Sequence, residues 1–396
     1  MKSVSPEDIG FSSARLQHID NAMRRFVDEG TLAGAVTLVA RHGKAVHFEA
    51  SGLIDVEARR PMQRDAIFRI ASMTKPITVA AVLMLFEEGH FLLDDPVAGF
   101  LPEFRQTKVF VRQTAHGLEV ADLERPITIR HLLTHTSGLT YEDYPEDPVS
   151  RIYAAEQIQR MDEILADKVG RIAALPLAHQ PGARWTYGFS HDVLGRLVEV
   201  VSGQPFDVFL RQRIFAPLEM TDTGFYVPEQ NLHRLAPVYR PDGRGGLKRD
   251  ENQRDRSKSP AFLGGGGGLV STAADYGRFC QTLLNGGALS GTRLLGRKTV
   301  ELMTANHWTL EKSPFPPGFR IPNGYSYGLG VRTLVDVARS GVPGSLGEYG
   351  WAGALSTYFW IDPREQLLGV FMVQLVPLNF RPAWMFQVLA YQALIA

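Results

Sequence analysis

A hydroxyl and an amine stand one helical turn apart in "RIASMTKPIT" (residues 69–78). Ser72 and Lys75 are separated by three positions, with Pro76 directly behind them. On a helix that spacing puts both side chains on one face, within reach of each other. The chemistry it offers is a nucleophile beside a base, provided that burial or a neighbouring charge depresses the lysine pKa. A capping serine followed by a solvated lysine has the same spacing, so the pair needs support from elsewhere in the chain. "PGARWTYGFSHDVLG" supplies one such support: Tyr187, flanked by Trp185 and small residues, can pass a proton between nucleophile and leaving group. "GEYGWAGALSTYFWID" supplies another, with Gly350, Ala352 and Gly353 around Trp351, where small residues let a substrate lie along a strand edge.

These residues must be held by elements that the sequence also outlines. Pro76 cannot sit deep in a helix, so the helix carrying "TVAAVLMLFEEG" begins close to Ser72 and stops at Gly89. Ser72 is thereby placed at a helix N-terminus, where free N–H groups and the dipole favour developing negative charge. Residues 12–29 carry Leu16, Ile19, Met23 and Phe26 at helical spacing, and "AGAVTLVARHGKAVHFEASG" reads as a hairpin turning at "RHGK". From about residue 76 to 250 the pattern is largely helical. It includes a small hairpin in "KVFVRQTAHGLEV", a Thr128-capped helix in "TIRHLLTHTSGL" and a helix from about Asp192 to Gly203. The polar run 240–260 reads as an exposed loop. Thr272 and Asp275 have capping-box spacing, and "SYGLGVRTLV", "GALSTYFWID" and "QLLGVFMVQLV" follow as strands before a closing helix. The expected fold is α+β, a mainly antiparallel sheet flanked by helices. Residues 1–75 and 255–396 form a sandwich domain from both chain ends, residues 76–254 an inserted, mostly helical domain, and the active site lies in the cleft between them.

Composition narrows the function. Lys+Arg and Asp+Glu both number 42, so no net field favours nucleic acid or an anionic membrane. The one cysteine, Cys280, cannot form an internal disulfide. The opening "MKSVSPEDIGFSSARL" has no apolar core of signal-peptide length, and no apolar run is long enough to span a bilayer. The expectation is a cytoplasmic protein whose partner is a small molecule.

Four other readings are set aside. His131 and His135 have i, i+4 metal-ligand spacing but no H-E-x-x-H and no third ligand nearby, so no metal is expected. His135 could suggest a Ser-His-Asp arrangement, but a structural histidine suits it better. "GGGGG" (264–268) lacks the G-K-[ST] of a phosphate loop, and unhindered backbone bordering a strand is the better account. G-x-S-x-G is absent, since "PGSLG" and "GFSHD" each lack one glycine.

In order and separation, "SMTK", "LLTHTSGL", "PGARWTYGFSHDVLG" and "GWAGA" resemble class C β-lactamase-like serine hydrolases, and among them the family VIII carboxylesterases. The likeness spans roughly residues 8 to 395. It implies the serine β-lactamase/DD-peptidase fold and a double-displacement acyl transfer without cofactor. Ser72 would be the nucleophile, Lys75 and Tyr187 would share the proton work, and the backbone N–H groups of Ser72 and Ala354 would form the oxyanion hole. Two departures bear on substrate. Trp351-Ala352-Gly353 stands where β-lactamases carry K-T-G, which removes a cation and offers an indole wall. Tyr187-Gly188-Phe189 stands where they carry Tyr-x-Asn, which removes an amide. Trp351, Gly353 and Phe189 are the expected substrate contacts, and a short-chain carboxylic ester the expected substrate. An acyltransferase on the same machinery, or a β-lactamase or D-alanyl peptidase, is the alternative. Residues 240–260 and 307–324 are candidates for the cleft mouth.

Overall fold

The computed structural model describes residues 2–115, 117–308 and 323–396. Among them, nine strands form one sheet, drawn from both ends of the chain. Its central strands are β1 (Gly34–Arg41), β2 (Lys44–Asp55), β3 (Tyr325–Tyr327), β4 (Arg332–Leu334), β5 (Tyr349–Ala352), β6 (Tyr358–Asp362) and β7 (Leu367–Met372). They lie in the order β2-β1-β7-β6-β5-β4-β3, and every neighbouring pair is antiparallel. The two chain ends meet at the β1–β7 seam, where Gly369 pairs with Val39 and Val370 with Leu38.

The sheet is covered on both faces, which is why "YFWID" and "LLGVFM" are apolar almost without alternation. Side chains still alternate in direction. Tyr358 and Trp360 of β6 and Phe371 of β7 join one core with helix α1 (Ser13–Asp28) and the closing helix. Phe359, Ile361, Leu368 and Val370 point into the other. Helix α1 is capped by Ser12, whose side chain accepts from the Arg15 N–H, and its expected apolar stripe of Leu16, Ile19, Met23 and Phe26 is buried.

Helix α2 (Thr74–Glu87) follows a short 3-10 turn, Ala71–Met73, so Pro76 falls in its first turn. Nearly every residue of α2 is buried, which explains a run with no polar face: it is a core helix. Helix α3 (Ile129–Leu133) is capped by Thr128, and α4 (Ser190–Ser202) ends on left-handed Gly203. Helix α5 (Ala273–Leu284) begins with the Thr272 side chain accepting from the Asp275 N–H at 3.1 Å. Helix α6 (Arg381–Tyr391) closes the chain against α1.

The 240–260 run departs from the expected exposed loop. Tyr239–Pro241 pairs with Leu247–Arg249 around "DGRGG", whose glycines suit a turn, and Arg256 is only 4 % exposed. Of the second cleft-mouth candidate, residues 309–322 lie outside the described residues. Among the described residues no helix is long and apolar enough to cross a membrane.

Candidate active site

The turn that presents Ser72 is tightly constrained. Ala71 has φ +44°, a left-handed conformation that costs a non-glycine residue about 1–2 kcal/mol. The preceding strand, Phe68–Arg69, is anchored to Val270–Ser271. The W-A-G segment closes against the same turn: a Cβ on Gly353 would come within 2.2 Å of Thr357 Oγ1 and 2.5 Å of the Ile70 carbonyl oxygen. Glycine is therefore required for the end of β5 to approach the serine. Ser72 is half-buried and Ala354 exposed, and both line one cavity of about 580 Å³. Among the described residues neither backbone N–H donates to a protein acceptor, so both are available to an oxyanion.

Lys75 is fully buried. Its Nζ donates to Ser72 Oγ at 3.2 Å, to the Gly266 carbonyl at 2.7 Å and to Tyr141 Oη at 3.3 Å. It also sits 4.4 Å from the centre of the Tyr187 ring, over its face. No carboxylate lies within 4 Å of it among the described residues. The five-glycine run is the cradle for this amine. Thr78 Oγ1 donates to the Gly265 carbonyl at 2.8 Å, the Gly266 N–H donates to Asp192 at 3.0 Å, and a Cβ on Gly265 would fall 2.3 Å from the His191 carbonyl oxygen.

Burial pushes the Asp192 carboxyl upward, while the Gly266 N–H and the Lys75 charge pull it down. Burial, reinforced by Asp192, holds the Tyr141 phenol well above its ordinary value, so it stays protonated and can donate. The His135 ring lies 4.7 Å from that of Tyr187 and 4.5 Å from that of His191, and both histidines are completely buried. Burial and then Lys75 hold His191 well below the ordinary imidazole value, and burial, His191 and Lys75 do the same to His135; among the described residues none of their ring nitrogens has a hydrogen-bond partner. His131 is engaged elsewhere, its Nδ1 accepting from the Thr128 N–H at 3.1 Å. The i, i+4 spacing of His131 and His135 thus reflects a cap and a core contact.

The structure brings Ser72, Lys75, Tyr187, Phe189, Gly353 and Ala354 to one cavity or its wall. Phe189 packs edge-on against Tyr141 at 4.7 Å and lines the cavity. Trp351 corrects the expected indole wall. It is 2 % exposed and turned inward, with Nε1 donating to Tyr187 Oη at 3.4 Å and its ring edge-on to Tyr327 at 5.3 Å. The indole braces the tyrosine, and Ala352, Gly353 and Leu355 line the cavity instead. Sequence reasoning missed Tyr141, which no spacing relates to Ser72, and the Gly266 carbonyl. The glycine run was the only signal for the latter.

A family model described as Beta-lactamase matches residues 19–392. The chain is 38% identical over 362 residues to Protein Rv1367c of Mycobacterium tuberculosis, covering 90% of this chain and 89% of that one. It is 33% identical over 382 residues to Esterase EstB of Burkholderia gladioli, covering 91% of each. Among solved structures, EstCE1, described as a hydrolase with promiscuous acyltransferase activity, superposes with a TM-score of 0.81 at 26% identity. That match covers 96% of this chain and 99% of EstCE1.

Proposed function

The chain belongs to the beta-lactamase family, and we propose that it serves there as a serine carboxylesterase acting through Ser72. The observation that carries this reading is the buried Lys75 amine, which has no carboxylate within ion-pair distance among the described residues and lies 3.2 Å from the Ser72 hydroxyl. Ser72 Oγ attacks the ester carbonyl as its proton passes toward Lys75. The N–H groups of Ser72 and Ala354 receive the oxyanion, and the alcohol leaves with a proton relayed through Lys75 and a phenol, Tyr187 or Tyr141. Water then attacks the acyl-enzyme by the reverse relay and frees the acid. The Trp351-Ala352-Gly353 segment supports ester over β-lactam, because no lysine stands where a β-lactam carboxylate would be met.

Residues 1–75 and 255–396 are read as one unit and 76–254 as its insertion. In support, Ser72 and Ala354 come from the first, and Tyr141, Tyr187 and Phe189 from the second. Cys280, buried and alone, suits a reducing compartment, and the cytoplasm is the proposed setting.

4-Nitrophenyl butyrate tests the activity. Saturable release of 4-nitrophenol, with an initial burst when deacylation is the slower step, is expected; release no faster than in buffer contradicts it. The likeness to EstCE1 favours one second reading, transfer of the acyl group to an alcohol. Added alcohols distinguish the two. Butyric acid as the main product marks a hydrolase, and a new butyrate ester as the main product marks a transferase.

A further inference from the structure

The same cavity has a cationic wall that the acyl-transfer chemistry does not use. Arg69, three residues before Ser72, and Arg254 and Arg256, from the loop after the 239–249 hairpin, all line it. Their protein partners are carbonyl oxygens. Arg69 donates to Ala236 O at 3.0 Å and Arg254 O at 3.3 Å, and Arg256 donates to Phe225 O at 3.2 Å. The Nε groups of Arg69 and Arg256 are buried without an acceptor. Among the described residues, no carboxylate lies within 4 Å of any of the three. Asp255, the neighbouring acid, is exposed and accepts from the Ser257 N–H.

Three other charged groups on the cavity wall, Lys168, Asp250 and Asp192, are already engaged. Lys168 is held by the Ile158 and Arg160 carbonyls and by Glu163 at 3.3 Å. Asp250 accepts from the Asn252 N–H and Gln253 Nε2 and faces Arg240 at 3.7 Å. Asp192 accepts from the Gly266 N–H at 3.0 Å and feels the charges of Lys75, Lys168 and Arg254 from beyond contact distance, and Asp143 stands on the Tyr141 side of the cavity. Burial depresses Arg69 and Arg256 to about 10, offset in part at Arg69 by the Asp255 charge and reinforced at Arg256 by those of Arg254 and Arg69, yet both remain cationic at neutral pH. Buried guanidinium groups with unmet donors and like-charged neighbours are costly unless an anion completes them. Their planar donor geometry matches a carboxylate or phosphate.

We propose that Arg69, Arg254 and Arg256 form an anion seat in the substrate cavity, so that the preferred esters carry a carboxylate or phosphate besides the scissile bond. This rests on the esterase reading and narrows its substrate, placing the cations on a different wall from the Trp351-Ala352-Gly353 segment.

Three ester pairs test it, each an anion against its uncharged methyl ester: mono-4-nitrophenyl glutarate for an acyl-side carboxylate, 4-acetoxybenzoate for an alcohol-side carboxylate, and 4-acetoxyphenyl phosphate, against its dimethyl ester, for a phosphate. The readout is the kcat/KM ratio, anion over methyl ester, divided by the same ratio for spontaneous hydrolysis. At least one pair is expected to show a ratio of about ten or more, falling about tenfold in Arg69→Gln and Arg256→Gln. The responding pair identifies the half of the ester and the type of anion. Because those two side chains also hold backbone carbonyls, Arg254→Gln, at an exposed position, provides a variant whose folding is not at stake, and its ratio is expected to fall several-fold. Ratios at or below one in all three pairs, or a ratio that none of the variants changes, overturn the proposal. Failure to hydrolyse any of the methyl esters would instead count against the esterase reading itself.

Discussion

Polar groups gather at both ends of strand β5, and the two sets are partnered in opposite ways. At its start, Glu348 accepts from Tyr325 Oη at 3.0 Å, Gln387 Nε2 at 2.9 Å and Tyr391 Oη at 2.8 Å. Arg332 donates to Tyr358 Oη, which donates to Gln387 Oε1 at 2.6 Å. This network ties β3, β4, β5 and β6 to α6 with few donors unmet, as expected of a scaffold. At its other end, beyond Ala352, the N–H of Ala354, both histidine rings and the Arg256 Nε lack hydrogen-bond partners among the described residues. Polar groups are left unmet in a native fold where another molecule, or a reaction, completes them. The first end holds the sheet together, and the second holds the chemistry.

Substitutions at the two ends should therefore separate activity from stability. The largest effect is expected from Ser72→Ala, with kcat on 4-nitrophenyl butyrate falling by about 10⁴-fold or more while the melting temperature stays close to wild type. Lys75→Ala should lose nearly as much. The double variant should be little worse than either single one, since nucleophile and base act as a unit; additive losses would break that picture. Tyr187→Phe is expected to cost about 10²–10³-fold in kcat. Trp351→Ala should lower kcat by roughly tenfold with KM unchanged across acyl lengths, because the indole orients Tyr187 and does not touch the acyl chain. A KM that rises with acyl length in Trp351→Ala would restore the wall.

The smallest effect on activity belongs to the scaffold end. Burial pushes the Glu348 carboxyl from 4.5 up to about 7, offset in part by Arg332. The native state thus retains a proton that the unfolded chain releases, and this group's contribution is full below about pH 4.5 and lost as pH rises through about 7. The loss is at most about 3 kcal/mol. Glu348→Gln, followed by denaturant unfolding between pH 5 and 8, should flatten that decline while leaving kcat within about twofold of wild type. A decline that persists unchanged in the variant would remove Glu348 as its source.

The sheet end was legible in the sequence because local pattern sufficed. Apolar runs bounded by turn residues marked the strands, and the stripe from Leu16 to Phe26 marked α1. Ser72 and Lys75 were legible for the same reason, since three residues of helix fix their relation. The rest of the site depends on distant segments meeting. Tyr141 reaches Lys75 across 66 residues, and Gly266 O across 191. Arg256 lies in a run whose polarity suggested solvent, and only the tertiary fold turns it inward to the Phe225 carbonyl. The facing of Trp351 was equally hidden: period-two alternation gives the face of a sheet but not whether that face meets a cavity or a neighbouring ring.

The most direct measurement of the central claim is covalent labelling with a fluorophosphonate probe, followed by proteolysis and peptide mapping. One adduct on the peptide containing Ser72, absent from Ser72→Ala, is the predicted result. An adduct on another serine, such as the buried pair Ser137 and Ser190, or labelling that survives in Ser72→Ala, would contradict it.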